Sequence, residues 1–93
     1  MKKSITLSII LPAMLLISAC DGKKEEDIEL NQVPANIIEI VQSTLPGISL
    51  TEAEKETKGE TVVYELEGKM LDGREYEIKV REDGLLIKIK LED

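Results

Sequence analysis

Hydrophobic residues follow three different arrangements along the chain. They are nearly continuous from Ile5 to Ile17, recur at helical spacing from Ile37 to Leu45, and alternate with polar residues from Val62 to Leu91. A short continuous run near the N-terminus is typical of a targeting segment, helical spacing of an amphipathic helix, and alternation of half-buried strands. The pattern therefore predicts a targeting peptide followed by a small domain with both helix and sheet.

One amphipathic helix is predicted over Pro34 to Leu45. Pro34 suits the first position of a helix. Proline has no N–H, and the first N–H groups of a helix have no partner within it. A capping pair of Asn36 and Glu39 is an alternative start. The helix ends before Pro46-Gly47, since the residue before a proline avoids helical geometry and a glycine takes a left-handed turn. The apolar stripe consists of Ile37, Ile38, Val41 and Leu45, with Ile40 at its margin.

Three strands with one apolar and one charged face are predicted after the helix. Their apolar rows are Val62-Tyr64-Leu66-Met70 with Gly68 as a gap, Tyr76-Ile78-Val80, and Leu85-Ile87-Ile89-Leu91. Because a slip of one residue would turn every apolar side chain outward, the register follows from matching these rows.

The matching also predicts the two turns between these strands. A two-residue turn at Asp83-Gly84 sets apolar residues opposite one another. It gives the pairs Val80–Ile87, Ile78–Ile89 and Tyr76–Leu91. The preceding turn needs the three residues Leu71-Asp72-Gly73, because a two-residue turn would set Tyr76 opposite Lys69. It gives the pairs Leu66–Ile78, Tyr64–Val80 and Gly68–Tyr76.

The segment from Ile48 to Lys58 alternates less cleanly. Its alternation would continue into three glutamates, which cannot all face a core. Either a bulge shifts the parity so that Ala53 points inward, or the strand is short. We interpret the segment as an irregular edge strand, with Gly59 in the turn that follows. The predicted fold is therefore α+β, with one N-terminal helix packed on a four-stranded antiparallel β-meander sheet.

The first segment resembles the signal peptide of a bacterial lipoprotein. Its apolar run has secretory length, is preceded by two lysines, and is too short for a stable transmembrane helix. Ile17-Ser18-Ala19-Cys20 resembles a lipobox. The resemblance implies cleavage after Ala19 and diacylation of Cys20, which becomes the new N-terminus. We therefore expect residues 1–19 to be removed and Cys20 to anchor the protein to a membrane.

Charge and residue types exclude several classes of partner and chemistry. The 93-residue chain has a net charge of −7, and losing Lys2 and Lys3 with the signal peptide makes it −9. Nucleic acid is disfavoured because its affinity for proteins comes largely from Lys and Arg, and anionic lipid is disfavoured for the same reason. Without histidine, and with Cys20 committed to lipid, a nucleophilic triad cannot form. No Gly-rich phosphate loop or Cys/His metal cluster occurs, so we expect neither an enzyme nor a cofactor.

Residues 20–31 are predicted to form the lipidated cysteine and a flexible acidic tether. Asp21, directly after Cys20, resembles an inner-membrane retention signal of enterobacterial lipoproteins. The cluster Glu25-Glu26-Asp27 instead resembles the surface-export signal of Bacteroidetes lipoproteins, and a spacer without any address is the third alternative. The expected location is the cell envelope, on the periplasmic or the cell-surface side.

Two sets of side chains are candidates for function. The charged outer face of the sheet is either a solvated surface with ion pairs, such as Glu65 with Lys79 and Glu77 with Lys90, or a protein-docking surface. It displays Glu65, Glu67, Lys69, Glu75, Glu77, Lys79, Arg81, Lys88 and Lys90. Three strand glutamates could gather a hard cation such as Ca²⁺, although hydrated surface acids are the commoner explanation. These are Glu52, Glu54 and Glu56.

Residues 32–93 resemble the PepSY-like domain, a group associated with the β-lactamase-inhibitor-protein fold. The resemblance rests on the order and spacing of a helix between Val33-Pro34 and Leu45-Pro46-Gly47, an Ile48-to-Glu56 strand, Tyr64-Glu65, Asp72-Gly73, Glu75-Tyr76-Glu77 and Asp83-Gly84. It implies a helix on an antiparallel sheet, an envelope location and non-catalytic binding, in some relatives to peptidases or β-lactamases. Those inhibitors use two tandem copies and this chain has one, so the resemblance assigns no inhibitory residue.

We therefore expect a lipid-anchored envelope protein that acts as a non-catalytic protein-binding module and modulates or inhibits a peptidase. The alternatives are a structural or assembly lipoprotein of the envelope, and a weak binder of calcium or another ligand.

Overall fold

Five antiparallel strands and one helix form the regular structure of residues 22–92, the part of the chain that the computed structural model describes. The strands are adjacent in chain order: β1 Lys23–Ile28, β2 Ser49–Lys58, β3 Thr61–Lys69, β4 Glu75–Arg81 and β5 Leu86–Glu92. The helix α1 spans Ala35–Thr44, close to its predicted bounds, and a 3₁₀ turn at Leu30–Gln32 connects β1 to it. The predicted signal peptide, Cys20 and Asp21 lie outside the described residues.

The prediction of a four-stranded sheet is wrong, because a fifth strand precedes the helix. This strand, β1, lies within the segment predicted to be a flexible tether. It pairs with β2 along its whole length, from Lys23 opposite Lys58 to Ile28 opposite Ala53. All its side chains are exposed except that of half-buried Ile28. β1 is therefore stabilised more by backbone hydrogen bonds than by side-chain burial. Its sequence shows no alternation of hydrophobic and polar residues that would predict a strand.

β2 lies inside the sheet, so its prediction as an edge strand is also wrong. A bulge between Leu50 and Glu52 shifts the pairing of β2 with β3. The extra residue reverses the parity of the strand and turns Ala53 into the core, where its side chain is buried. The bulge, one of the two alternatives for this segment, is thus confirmed. Gly59, with φ +62°, lies in the tight turn to β3.

The register between β3 and β4 is confirmed. The observed pairs are Leu66–Ile78, Tyr64–Val80 and Gly68–Tyr76. The N–H of Met70 donates to the carbonyl of Arg74 at 2.8 Å, which closes a three-residue loop. Gly73 ends this loop with φ +90°, a conformation that L side chains rarely adopt.

The turn between β4 and β5 differs from its prediction, although the pairs farther from it are confirmed. These are Ile78–Ile89 and Tyr76–Leu91. Val80 faces Leu86 and not Ile87. The N–H of Arg81 donates to the carbonyl of Leu85 at 2.8 Å, so the loop has three residues where two were predicted. A bulge next to Val80 compensates for the longer loop and restores the expected register.

The core lies between α1 and the inner face of the sheet. Ile37 and Val41 of the helix are fully buried. The other buried hydrophobic residues are Val33, Ile48, Ala53, Tyr64, Leu66, Ile78 and Val80. Gly68 permits a close approach, since a Cβ there would lie 2.8 Å from the backbone oxygen of Ser49. No residue of β5 belongs to this buried set, so the helix leaves that side of the sheet uncovered.

Candidate functional site

The outer face of the sheet, opposite α1, gathers charged side chains from all five strands. The residues predicted as a binding face lie together on β3, β4 and β5: Glu65, Glu67, Glu75, Glu77, Lys79, Arg81, Lys88 and Lys90. β1 and β2 extend this face with Glu25, Asp27, Glu52, Glu54 and Glu56. Carboxylates therefore predominate toward β1, and lysines toward β5.

Lys79 is at the centre of an ion-pair cluster on this face. Its Nζ lies 3.4 Å from a carboxylate oxygen of Glu56 and 3.7 Å from one of Glu65. Burial lowers the pKa of Lys79, but the two carboxylates raise it by more, so the net shift is upward. The predicted pair Glu65–Lys79 is thus confirmed. Glu77 is opposite Lys90 as predicted, but its ion pair, at 3.9 Å, is with Lys88.

Glu56 and Glu65 both lie beside Lys79, and their pKa values shift in opposite directions. Burial, the hydrogen bond to Glu56 and neighbouring carboxylates raise the pKa of Glu65 to about 7. Burial also acts to raise the pKa of Glu56, but the hydrogen bond from Glu65 and the charge of Lys79 lower it below its ordinary value. Below about pH 7 Glu65 is therefore protonated while Glu56 is ionised, and above it both carboxylates pair with Lys79. The charge of this face changes near neutral pH in a chain that has no histidine.

Three outer-face carboxylates are close enough to contact one cation. Oxygens of Glu25, Glu54 and Glu56 lie within 4.8 Å of one another. Two members of the predicted trio, Glu54 and Glu56, therefore belong to this cluster. The third member is Glu25 of β1, and Glu52 lies outside the cluster. Carboxylate oxygens are the ligands that Ca²⁺ prefers. Lys79 already neutralises part of this charge through Glu56.

A second surface lies on β5, at the free edge of the sheet, and is apolar. We call its five residues the β5 edge: Leu85, Leu86, Ile87, Ile89 and Leu91. Their exposed fractions range from 38% for Leu86 to 51% for Leu85. With Leu71 they are all the exposed large hydrophobic residues of the described part of the chain. A row of this kind beside unpaired backbone groups is a template for binding another chain.

The exposure of the β5 edge was not predicted, because alternation shows which residues share a face, not whether anything covers that face. Four of its residues were predicted as the apolar row of the last strand, and in the structure they are exposed. Geometry could have indicated the exposure, since even the predicted sheet of four strands is about 14 Å wide at ~4.8 Å per strand. A single helix is only about 10–12 Å in diameter. One edge of the sheet must then remain uncovered.

Comparisons with protein-family models, curated proteins and solved structures gave no match. The resemblance to PepSY-like domains therefore stays a prediction, based on the spacing of turns and strands. Within residues 22–92, no helix is long and apolar enough to span a membrane.

Proposed function

We propose that this chain is a lipid-anchored protein of a bacterial cell envelope that acts as a non-catalytic protein-binding module. One observation carries the proposal: large hydrophobic residues of β5 are exposed along a free sheet edge. Exposed apolar patches mark interaction sites, and edge strands without a partner are usually protected by charge. We therefore assign partner docking to the β5 edge. By the PepSY-like resemblance, the proposed partner class is an envelope peptidase, which docking would modulate.

Attachment through Cys20 determines where this edge is presented. β1 begins at Lys23, three residues after Cys20. Three residues of fully extended chain span at most about 11 Å. Acyl chains on Cys20 would therefore hold the domain close to the bilayer, in contrast to the long tether expected from the sequence. A partner of the β5 edge is accordingly a membrane protein or one that works near the membrane surface.

Site-specific photo-crosslinking in cells tests this proposal. A photoreactive residue at Ile89 should give a discrete adduct with another envelope protein, because Ile89 lies at the centre of the β5 edge. The matched control is Lys24 on β1, which is exposed on the other free strand. Adducts at Lys24 as abundant as those at Ile89, or none at either position, would contradict the proposal.

A second candidate function, weak calcium binding, is favoured by the proximity of Glu25, Glu54 and Glu56. It predicts that calcium raises the melting temperature of the parent chain. The rise should disappear in Glu54→Gln and persist in Glu52→Gln, since Glu52 is not a member of the trio. An equal rise in both variants would indicate general screening of negative charge.

A further inference from the structure

We propose that the partner binds by adding an extended strand to β5, and that this strand alternates acidic with apolar side chains. This inference rests on the proposed function and specifies the chemistry of the partner. Two features of β5 support it: its unpaired backbone, and the sign of the charges on its outer face.

The backbone of β5 has one free side. Among the strands of residues 22–92, β5 pairs only with β4, so alternate N–H and C=O groups of the strand point away from these strands. The bulge lies at the start of β5, and pairing with β4 is regular from Lys88 to Glu92. A strand of a partner can therefore continue the sheet over this regular part, with main-chain hydrogen bonds supplying affinity and alternate side chains specificity.

The two faces of β5 require different side chains from that strand. Ile89 and Leu91 lie on the inner face, where they are 41% and 47% exposed. Apolar residues of an added strand would cover them. Lys88 and Lys90 lie on the outer face, opposite Lys79 and Glu77. Within residues 22–92, Lys90 forms no ion pair and Lys88 only one of 3.9 Å. Acidic residues of the added strand would therefore meet these two lysines, and Glu92 is the one carboxylate in the same row of β5.

The same lysines disfavour a second copy of this chain as the occupant. Symmetric pairing of two β5 strands centred on Ile89 sets Lys88 of each copy opposite Lys90 of the other. Centring the pair on Lys90 sets that residue opposite itself and Lys88 of each copy opposite Glu92 of the other. Like charges directly opposite each other destabilise strand pairs, whereas opposite charges stabilise them. An acidic strand converts both contacts into attractions.

Two labelled peptides of identical composition test the proposal on the full-length chain in detergent micelles. In one peptide Glu and Val alternate, and in the other the Glu and Val residues form separate blocks. The chain carries a net charge of −7, so general electrostatics oppose both peptides equally. We expect fluorescence anisotropy to show binding of the alternating peptide at least about tenfold tighter than binding of the blocked one, a difference of about 1.4 kcal/mol.

Charge reversal at the two edges supplies the matched variants. Lys88→Glu with Lys90→Glu should abolish the preference for the alternating peptide. Lys23→Glu with Lys24→Glu makes the same change of net charge on β1 and should retain it. Equal binding of both peptides by the parent chain, or equal loss in both double variants, would overturn the inference. So would a dimer of the parent chain that only the β5 variant dissociates, because the occupant would then be a second copy.

The crosslink at Ile89 separates this inference from the proposed function. An Ile89 adduct together with no peptide preference would reject the acidic strand and keep the docking edge. Absence of the Ile89 adduct would reject the docking edge itself.

Discussion

β1 and β5 are the two free edges of one sheet, and their side chains differ. β1 carries charged residues on both of its faces, including an ion pair of 3.2 Å between Lys23 and Glu25, and only Ile28 is partly buried. β5 has charge on its outer face alone, and its inner face exposes Ile89 and Leu91. Charge on an edge discourages pairing with other chains. β1 is thus charged on both faces, whereas the charge of β5 is confined to one face, and under the proposed function β5 is the edge that accepts a partner strand.

A substitution in the interior of the sheet provides the reference for both edges. We expect the largest loss of stability from a substitution at Gly68. Gly68→Ala would place a Cβ 2.8 Å from the backbone oxygen of Ser49, which cannot move without shifting the start of β2. Overpacking of this kind costs about 1–3 kcal/mol. The melting temperature should fall by roughly 4 °C or more. A variant that melts with the parent chain would contradict the close approach of these two strands.

Matched substitutions at the two edges should separate a structural isoleucine from an exposed one. Ile28 of β1 packs against the core, whereas Ile89 of β5 is 41% exposed. Ile28→Ser should therefore lower the free energy of unfolding by about 1 kcal/mol, part of the value for a fully buried side chain. Ile89→Ser should lower it by less, because 41% of Ile89 is already exposed in the folded chain. Urea unfolding measures both effects. Equal destabilisation by the two substitutions would contradict the claim that Ile28 contributes more to stability than Ile89.

The smallest expected effect concerns the acidic face between the edges and depends on pH. The folded state holds a proton on Glu65 up to about pH 7, whereas the unfolded chain releases it near the ordinary glutamate pKa of 4.5. The folded state thus binds more protons in this range, and stability falls as pH rises through it. Raising the pH from about 5.5 to 8 should lower the free energy of unfolding by less than about 1 kcal/mol, because solvent screens charges on this partly exposed face.

Glu65→Gln should flatten this pH dependence and raise the melting temperature at alkaline pH. An amide at this position cannot ionise and can still donate a hydrogen bond to Glu56. Glu60→Gln, in the exposed turn before β3, is the matched control and should keep the slope of the parent chain. If Glu65→Gln also keeps that slope, the proton is not held where we place it.

Burial explains which parts of the fold could be predicted from the sequence. The helix and the β3–β4 register follow from matching apolar rows, because any slip would expose Leu66 or Ile78. β1 could not be found in this way, since its residues bury almost nothing and pair through backbone groups. Because β1 was not predicted, β2 was wrongly predicted to be an edge strand. The three-residue loop between β4 and β5 could not be predicted. The bulge near Val80 compensates for it, so the apolar rows match as well as they would with a two-residue loop and no bulge.

The candidate sites depended on contacts between distant parts of the chain, and were predicted less well. Residues of the outer face could be grouped by parity, but the place of Glu25 beside Glu54 depends on β1, which the sequence pattern does not reveal. The β5 edge depends on which strand a single helix leaves uncovered. Alternation does not carry that information, so Ile89 has the same pattern in the sequence as buried Ile78.

Chemical labelling of a single introduced cysteine tests the central claim, that the β5 edge is covered by a partner in the envelope. Cys20 is the only natural cysteine, and under our proposal its sulfur is acylated and does not react. Ile89→Cys should be protected from maleimide in intact membranes and react after purification in detergent. Lys24→Cys on β1 should react in both states. Equal labelling of Ile89→Cys in membranes and in the purified chain would contradict the assignment of partner docking to β5.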